Sequence, residues 1–488
     1  MVWTRKKAFK DASLNILFQY SVLFLVLIRG FLFSKYLGPE GYGLWASIYL
    51  IYTYGQYSHF GLFTGISFLV PEHLNNGKEK EVTNLLSTAI TFANSFGIIT
   101  FVFLVFFSFS GLSDFFSNNF FIITIVSLSI ILFLNFNFFT LRFQFTHKFT
   151  TAGKYQFLLT LSDLVLSFVL LKIFGLSGAF LGMAISLLFF VIIMSKEGFN
   201  DLFISFDKNI FKRITSIGFK LLIIYFCFAL FTTADKLSVA NYYTKTEMGF
   251  FSNAVAFAML PYTIALAING LVSQRMIELY GENKSAKEIK IFLDENIFAV
   301  AFLIPFFSVL LVAFAEPAII FLLPKYINSL RFVDKLSIGV YFLAIGLVCY
   351  SYMLVRKNYR FVLILIITLI VIVLLANYFL SHFGKDIIWV TYVSVIGYFI
   401  FATSLYFFIY HEFYNFTRIV WMYIRLALPV IPILFAFSLK FIIDDNVLRF
   451  IIRIVIAILW GVFAYFYLKK KTIILSQITD IIKEKIHF

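Results

Sequence analysis

Along this chain, apolar runs of about 20 residues alternate with short polar breaks, and about 20 residues is the length a helix needs to cross a bilayer's hydrocarbon core. The runs fall near 12–33, 43–65, 84–108, 119–141, 155–173 and 176–195. A polar connector follows at 196–213. Further runs lie near 214–234, 248–274, 294–315, 332–355, 361–380, 387–410, 420–441 and 447–468. Six spans, a connector and eight more predict an all-α polytopic membrane protein with about fourteen transmembrane helices, because lipid offers the backbone no hydrogen-bond partners. The basic N-terminal segment Met1–Lys10 leads into the first run without an A-x-A-type cleavage site, so that run reads as a retained helix.

The polar breaks are asymmetric in charge. With the N-terminus in the cytoplasm and the spans alternating, most of the 40 Lys and Arg residues fall on the cytoplasmic side. They include Lys6, Lys7, Lys208, Lys212, Arg356 and Lys469–Lys471. The positive-inside rule therefore predicts both termini and the connector in the cytoplasm. At 472–488, Ile474, Ile478, Ile481, Ile482 and Ile486 share one helical face. That suits a short helix on the inner leaflet, with a disordered tail as the alternative.

Composition agrees with this reading. The 488 residues are 61% hydrophobic and 13% charged, with a mean hydropathy of +0.93, against about 25% charged in soluble domains. The net charge of +15 follows mainly from the inner loops, and no segment is long enough to fold as a basic nucleic-acid-binding domain. Cys227 and Cys349 sit inside apolar runs as thiols, with no C-x-x-C pair. Aromatic residues make up 20% of the chain, too many for any one to point to a site.

Residues 29–78 align without a gap to residues 235–284, at an offset of 206. Tyr36 meets Tyr242, Gly43 meets Gly249, Glu72 meets Glu278 and Lys78 meets Lys284. Both copies run in the same direction, which predicts two six-helix lobes related by an axis along the membrane normal. The lobes are 1–195 and 214–411; two extra helices at 412–468 and the cytoplasmic tail 469–488 follow.

The segment from Arg29 through Gly38-Pro39-Glu40-Gly41 to Trp45 resembles the first hairpin of bacterial polysaccharide-export flippases. These are the Wzx-type members of the multidrug/oligosaccharidyl-lipid/polysaccharide exporter superfamily. The stretch Ala234-Asp235-Lys236 through Gly249-Phe250-Phe251 to Pro261 is similar to that family's second-half hairpin. The resemblance implies a carrier for lipid-linked oligosaccharide that alternates between inward- and outward-open states. It supplies no motif that transfers the family's cavity residues.

Charges inside spans are expensive in lipid and are functional candidates by default. Asp163, in Leu161-Ser162-Asp163-Leu164, lies near the middle of the fifth span; ion coupling and a structural hydrogen bond are both open to it. Arg29, in the outer half of the first span, either snorkels to the outer interface or faces a cavity, in a polar stripe with Asn15. Lys220, in the inner half of the seventh span, snorkels inward or binds an anion. His59 is a substrate-site candidate or a hydrogen-bonded core histidine. Asp235 and Glu278 lie at span ends, where solvated or helix-pairing charge is expected.

The run Gly38–Gly41 is a turn and lacks the Lys-Ser/Thr of a Walker A loop. No H-E-x-x-H, G-x-S-x-G or acidic metal cluster appears, so neither a cofactor nor a catalytic residue is assigned.

The resulting expectation is a flippase, not an enzyme. It carries undecaprenyl-pyrophosphate-linked oligosaccharide across the bacterial cytoplasmic membrane for capsule, O-antigen or exopolysaccharide assembly. Arg29, Lys220 and His59 form the substrate site, and Asp163 couples to H+ or Na+. Membrane lipids are the other partners. The alternatives are an ion-coupled multidrug or organic-cation antiporter of the same superfamily, or a membrane polysaccharide polymerase, which would want a long external loop.

Overall fold

The computed structural model describes residues 5–198, 201–281 and 286–471; the predicted tail helix at 472–488 and the Asn15 side chain lie outside the described residues. Among the described residues there is no strand. The chain divides into two compact units, residues 1–226 and 227–488.

The first unit contains α1 (Arg5–Gly55), α2 (Leu62–Asn75), α3 (Glu79–Phe109), α4 (Asp114–Asn118), α5 (Phe120–Phe145), α6 (Phe149–Gly198) and most of α7 (Lys208–Phe231). The second contains α8 (Ala234–Tyr242), α9 (Lys245–Ala258), α10 (Leu260–Gly281), α11 (Ala286–Pro317), α12 (Leu330–Val355), α13 (Tyr359–His382), α14 (Ile388–Tyr410), α15 (Phe416–Ala427), α16 (Ile431–Ser438) and α17 (Asn446–Lys471).

Eleven helices among the described residues are long and apolar enough to cross a membrane, and the bent pair α9–α10 makes twelve. Large apolar side chains stand exposed along α3 (Phe103, Phe106, Phe109) and α17 (Leu459, Phe463, Phe466). A water-facing protein would hide such faces; lipid solvates them.

Two of the eleven are hairpins. Positions 29 and 49 would lie about 30 Å apart on a straight helix, yet Arg29 Nη2 is 3.5 Å from the Tyr49 hydroxyl. The chain reverses at Gly38, whose φ of 67° is open to glycine, and Pro39 starts the second arm. In α6 the reversal is at Gly175, with φ 62°. There Ser162 and Ser186 hydroxyls meet at 3.2 Å. Gly178 and Gly182 let the arms touch, since a Cβ on Gly182 would come within 2.4 Å of Ser167 backbone. Each of these two helices spans parts of two expected apolar runs, 12–33 with 43–65 and 155–173 with 176–195.

Three expected spans are less regular than their apolar runs. The run at 43–65 is interrupted by a 3-10 turn, Gln56–His59, and by left-handed Phe60 and Gly61. Gly61 lies against α7, where a Cβ on Gly218 would come within 1.9 Å of the Gly61 carbonyl oxygen. That close approach accompanies the placing of most of α7 in the first unit, whereas the expected second lobe starts at 214. The run at 248–274 bends before Pro261, which has no N–H to continue the ladder. The run at 420–441 is divided by short 3-10 turns, the first at Leu428–Val430.

In the second unit the chain reverses at Thr244, 206 residues after Gly38. A capping box performs the turn there: Glu247 N–H donates to Thr244 Oγ1 (3.2 Å), and Thr244 N–H donates to Glu247 Oε2 (3.0 Å).

Candidate functional site

The α1 hairpin presents an aromatic ladder along its second arm. Tyr42, Trp45, Tyr49 and Tyr52 fall on one helical face, and successive rings lie 5.2, 5.0 and 5.4 Å apart. On the first arm, Phe33 meets Trp45 edge-on at 5.6 Å. This contact sets the arms in register, so Arg29, one turn earlier, falls beside the two middle rungs. Its guanidinium carbon is 5.9 Å from the Trp45 ring centre and 5.6 Å from that of Tyr49.

Asp163 closes the site from α6. Arg29 Nη1 donates to Asp163 Oδ2 in a buried ion pair. Ser167, one turn on, donates to Asp163 Oδ1 at 2.6 Å. Arg29 is 9% exposed and Asp163 7%, so neither charge reaches water by itself. Arg29 Nε is buried without a hydrogen-bond partner among the described residues. The pair is therefore electrically closed but retains one spare guanidinium donor.

The two residues expected to do separate work, anion binding and ion coupling, thus meet in one contact across 134 residues of sequence. Arg29 does not snorkel. Trp45, Tyr49 and Ser167 are additions to the sequence-based set. The signal of Trp45 and Tyr49 was the spacing 42, 45, 49, 52, lost among the abundant aromatics; that of Ser167 was its place one turn after Asp163.

His59 and Lys220 are not part of this contact. His59 is buried in the 3-10 turn, with its ring stacked on Phe63 at 4.7 Å; its Nδ1 accepts the Gly61 N–H at 3.2 Å. That bond steadies the left-handed break. Lys220 is exposed on α7, with no ion pair or hydrogen bond among the described residues. Glu278 is exposed and pairs with Arg275 at 2.7 Å, as a span-end charge should.

Asp235 takes the helix-pairing option of its expected setting and not the solvated one. It is 2% exposed, because it starts α8 under α14 and not at a wet span end. It accepts the Lys236 N–H (2.7 Å) and the Ser394 hydroxyl (3.1 Å). By the 206-residue offset it occupies Arg29's place in the second unit, with the opposite charge.

This arrangement of hairpins and broken helices is a fold shared with membrane transporters of solved structure. A lipid II flippase, MurJ, in an inward closed conformation is similar with a TM-score of 0.73 and 17% identity, over 93% of this chain and 99% of that one. An inward-facing multidrug resistance MATE family transporter of the MOP superfamily gives 0.69 and 16%, over 80% and 94%. A MOP superfamily transporter from Pyrococcus furiosus, described by a reversed polarity of its binding pocket, gives 0.61 and 15%, over 83% and 95%. By sequence, no curated protein matches the chain. The sequence profile of the family described as polysaccharide biosynthesis protein matches residues 32–328, and the chain belongs to that family.

Proposed function

We propose that this protein is an alternating-access flippase, not an enzyme. It would move undecaprenyl-pyrophosphate-linked oligosaccharide across the bacterial cytoplasmic membrane for surface polysaccharide biosynthesis. The observation that carries this reading is the buried Arg29–Asp163 pair, with Arg29 Nε unspent. A guanidinium held by a carboxylate is primed for exchange with a phosphate, which offers similar charge and the same forked geometry. Asp163, released from Arg29, would take H+ or Na+, since a carboxylate left alone in a low-dielectric site favours a bound cation or proton. Binding of diphosphate and of the coupling ion would then be linked through one contact.

Family membership supplies the pathway class, and a lipid II flippase shares the fold. In this reading Lys220 is a second anion station and His59 a substrate contact. The chain is arranged as lobes 1–195 and 214–411, a cytoplasmic connector 196–213, two further helices 412–468 and a cytoplasmic tail 469–488, with fourteen crossings and both termini inside.

An organic-cation antiporter is the second reading, favoured by the shared MATE fold. It wants an uncommitted acid for its cation, and in the first unit Asp163 is already held by Arg29.

The test is complementation of glycan display in cells lacking their own flippase, read with membrane abundance and accumulation of lipid-linked precursor. Arg29→Gln with Lys220→Gln should accumulate precursor and lose glycan display beyond any fall in membrane abundance, and Arg29→Lys should rescue partly. Full display by the double Gln variant would remove both residues from the binding site.

A further inference from the structure

Helix α15 begins the pair of helices that follows the second repeat, and it is firmly seated on one side. Ile419, Tyr423 and Leu426 are buried. Thr403 on α14 donates to the Tyr423 hydroxyl at 2.8 Å, and Tyr341 on α12 donates to the Leu426 carbonyl. A different face carries Arg418, Trp421, Met422 and Arg425, at i, i+3, i+4 and i+7. Trp421 is 60% exposed, and both arginines are exposed.

These four residues line a groove of about 600 Å³ together with Tyr414, Asn415 and Thr417. Its walls hold two guanidinium groups and no carboxylate. Neighbouring cations are already matched: Glu412 holds Arg356 at 2.6 Å, and Asp294 holds Lys290 at 2.6 Å. Arg418 and Arg425 have no ion pair among the described residues. Arg418 lies over the Tyr414 ring at 4.3 Å. The ring takes the flat face of the guanidinium and leaves its N–H edge available.

A water-soluble anion would need only the two charges. The strip of Trp421 and Met422 between them calls for an apolar partner as well. Trp is also the side chain favoured where headgroups meet acyl chains. Arg425 lies about 10 Å further along the helix than Arg418, within a segment apolar enough to cross a membrane. An unmatched charge there is costly, which is a reason for a resident anion.

We propose that this groove binds an anionic phospholipid. Its phosphate sits between Arg418 and Arg425, and an acyl chain lies along Trp421 and Met422. In the orientation proposed above the lipid belongs to the cytoplasmic leaflet, but binding itself does not depend on that orientation or on the transported substrate.

The test uses the full-length protein purified in detergent, with retained lipid read by native mass spectrometry and melting temperature read in parallel. Phosphatidylglycerol, phosphatidylcholine and inorganic pyrophosphate are the probes. Phosphatidylglycerol should bind and raise the melting temperature; phosphatidylcholine should do neither. Arg418→Gln with Arg425→Gln should weaken phosphatidylglycerol binding by at least about tenfold, as expected for loss of a charge-assisted contact. The Lys-for-Arg double variant should retain part of it. Trp421→Ala should weaken the lipid but not pyrophosphate. If the double Gln variant does not purify, each single Gln variant is read in the same way. Equal binding of both lipids, or unchanged phosphatidylglycerol binding in the Gln variants, overturns the proposal. So does pyrophosphate matching the lipid with no effect of Trp421→Ala, which would make the groove a site for a soluble anion.

Discussion

Neutralising one member of the Arg29–Asp163 pair should damage the protein more than neutralising both. Their side chains are 11% and 10% exposed, so solvent screens the pair little. At an effective dielectric constant near 20, two charges about 4 Å apart attract by about 4 kcal/mol. Removing one partner of a buried pair typically costs about 3–5 kcal/mol, because the other is left charged and dry. Asp163→Asn strands Arg29 between Trp45 and Tyr49. Arg29→Gln strands Asp163, with only the Ser167 hydroxyl to help it. Each single variant should therefore lose about 3–5 kcal/mol, and the double variant clearly less than their sum.

The assay is unfolding of the four purified proteins in one detergent, closed as a double-mutant cycle. Additivity to within about 0.5 kcal/mol would refute a coupled buried pair. The same four proteins then separate folding from function. The double variant should reach the membrane near normal abundance and still fail to display glycan, having lost both the anion contact and the coupling carboxylate. Normal display by the double variant would reduce the pair to a structural strut.

Topology is tested by single cysteines at Lys208 and Asp114, both exposed, in a background lacking Cys227 and Cys349. An impermeant thiol reagent applied to whole cells should label position 114 only, and labelling of both would sink the assigned orientation. Gly218→Ala should destabilise the first unit by about 3 kcal/mol, the upper end for overpacking, because its Cβ would meet Gly61 backbone and not a side chain that can swing away. Gly270→Ala, whose added Cβ meets no neighbouring element within 4 Å, is the control that should unfold no more easily than the parent. For His59, the Asn variant separates the two roles: its side-chain oxygen can replace Nδ1 as acceptor for the Gly61 N–H. Full stability with lost transport in His59→Asn supports substrate contact; full stability with full transport leaves His59 only its role in the turn.

Much of the architecture is legible in the sequence, because the bilayer leaves a chain few choices. Any apolar run of sufficient length must satisfy its own backbone, so helices follow from composition. Gly38-Pro39 marks a reversal by local sterics, and Gly175 does so between two apolar runs. Asp163 and Arg29 are conspicuous for a similar reason: an ionised group within a span is too costly to be incidental.

What faces what was decided only by the tertiary structure. In water, an apolar stripe tells which side of a helix is buried. In lipid, the outside is as apolar as the inside, so Phe106 exposed on α3 and Phe138 buried on α5 look alike in sequence. Hence the aromatic ladder at 42, 45, 49 and 52 could not be told from lipid-facing aromatics. Nor could the sequence say that Arg29 turns inward to Asp163 while Lys220 stays exposed, or that Asp235 lies beneath α14. A helix's periodicity fixes angles about its own axis; the identity of the neighbour at each angle depends on how hairpins fold back. At Gly38 and Gly175 that folding is set by glycine, and at Gly61 by its backbone contact with Gly218.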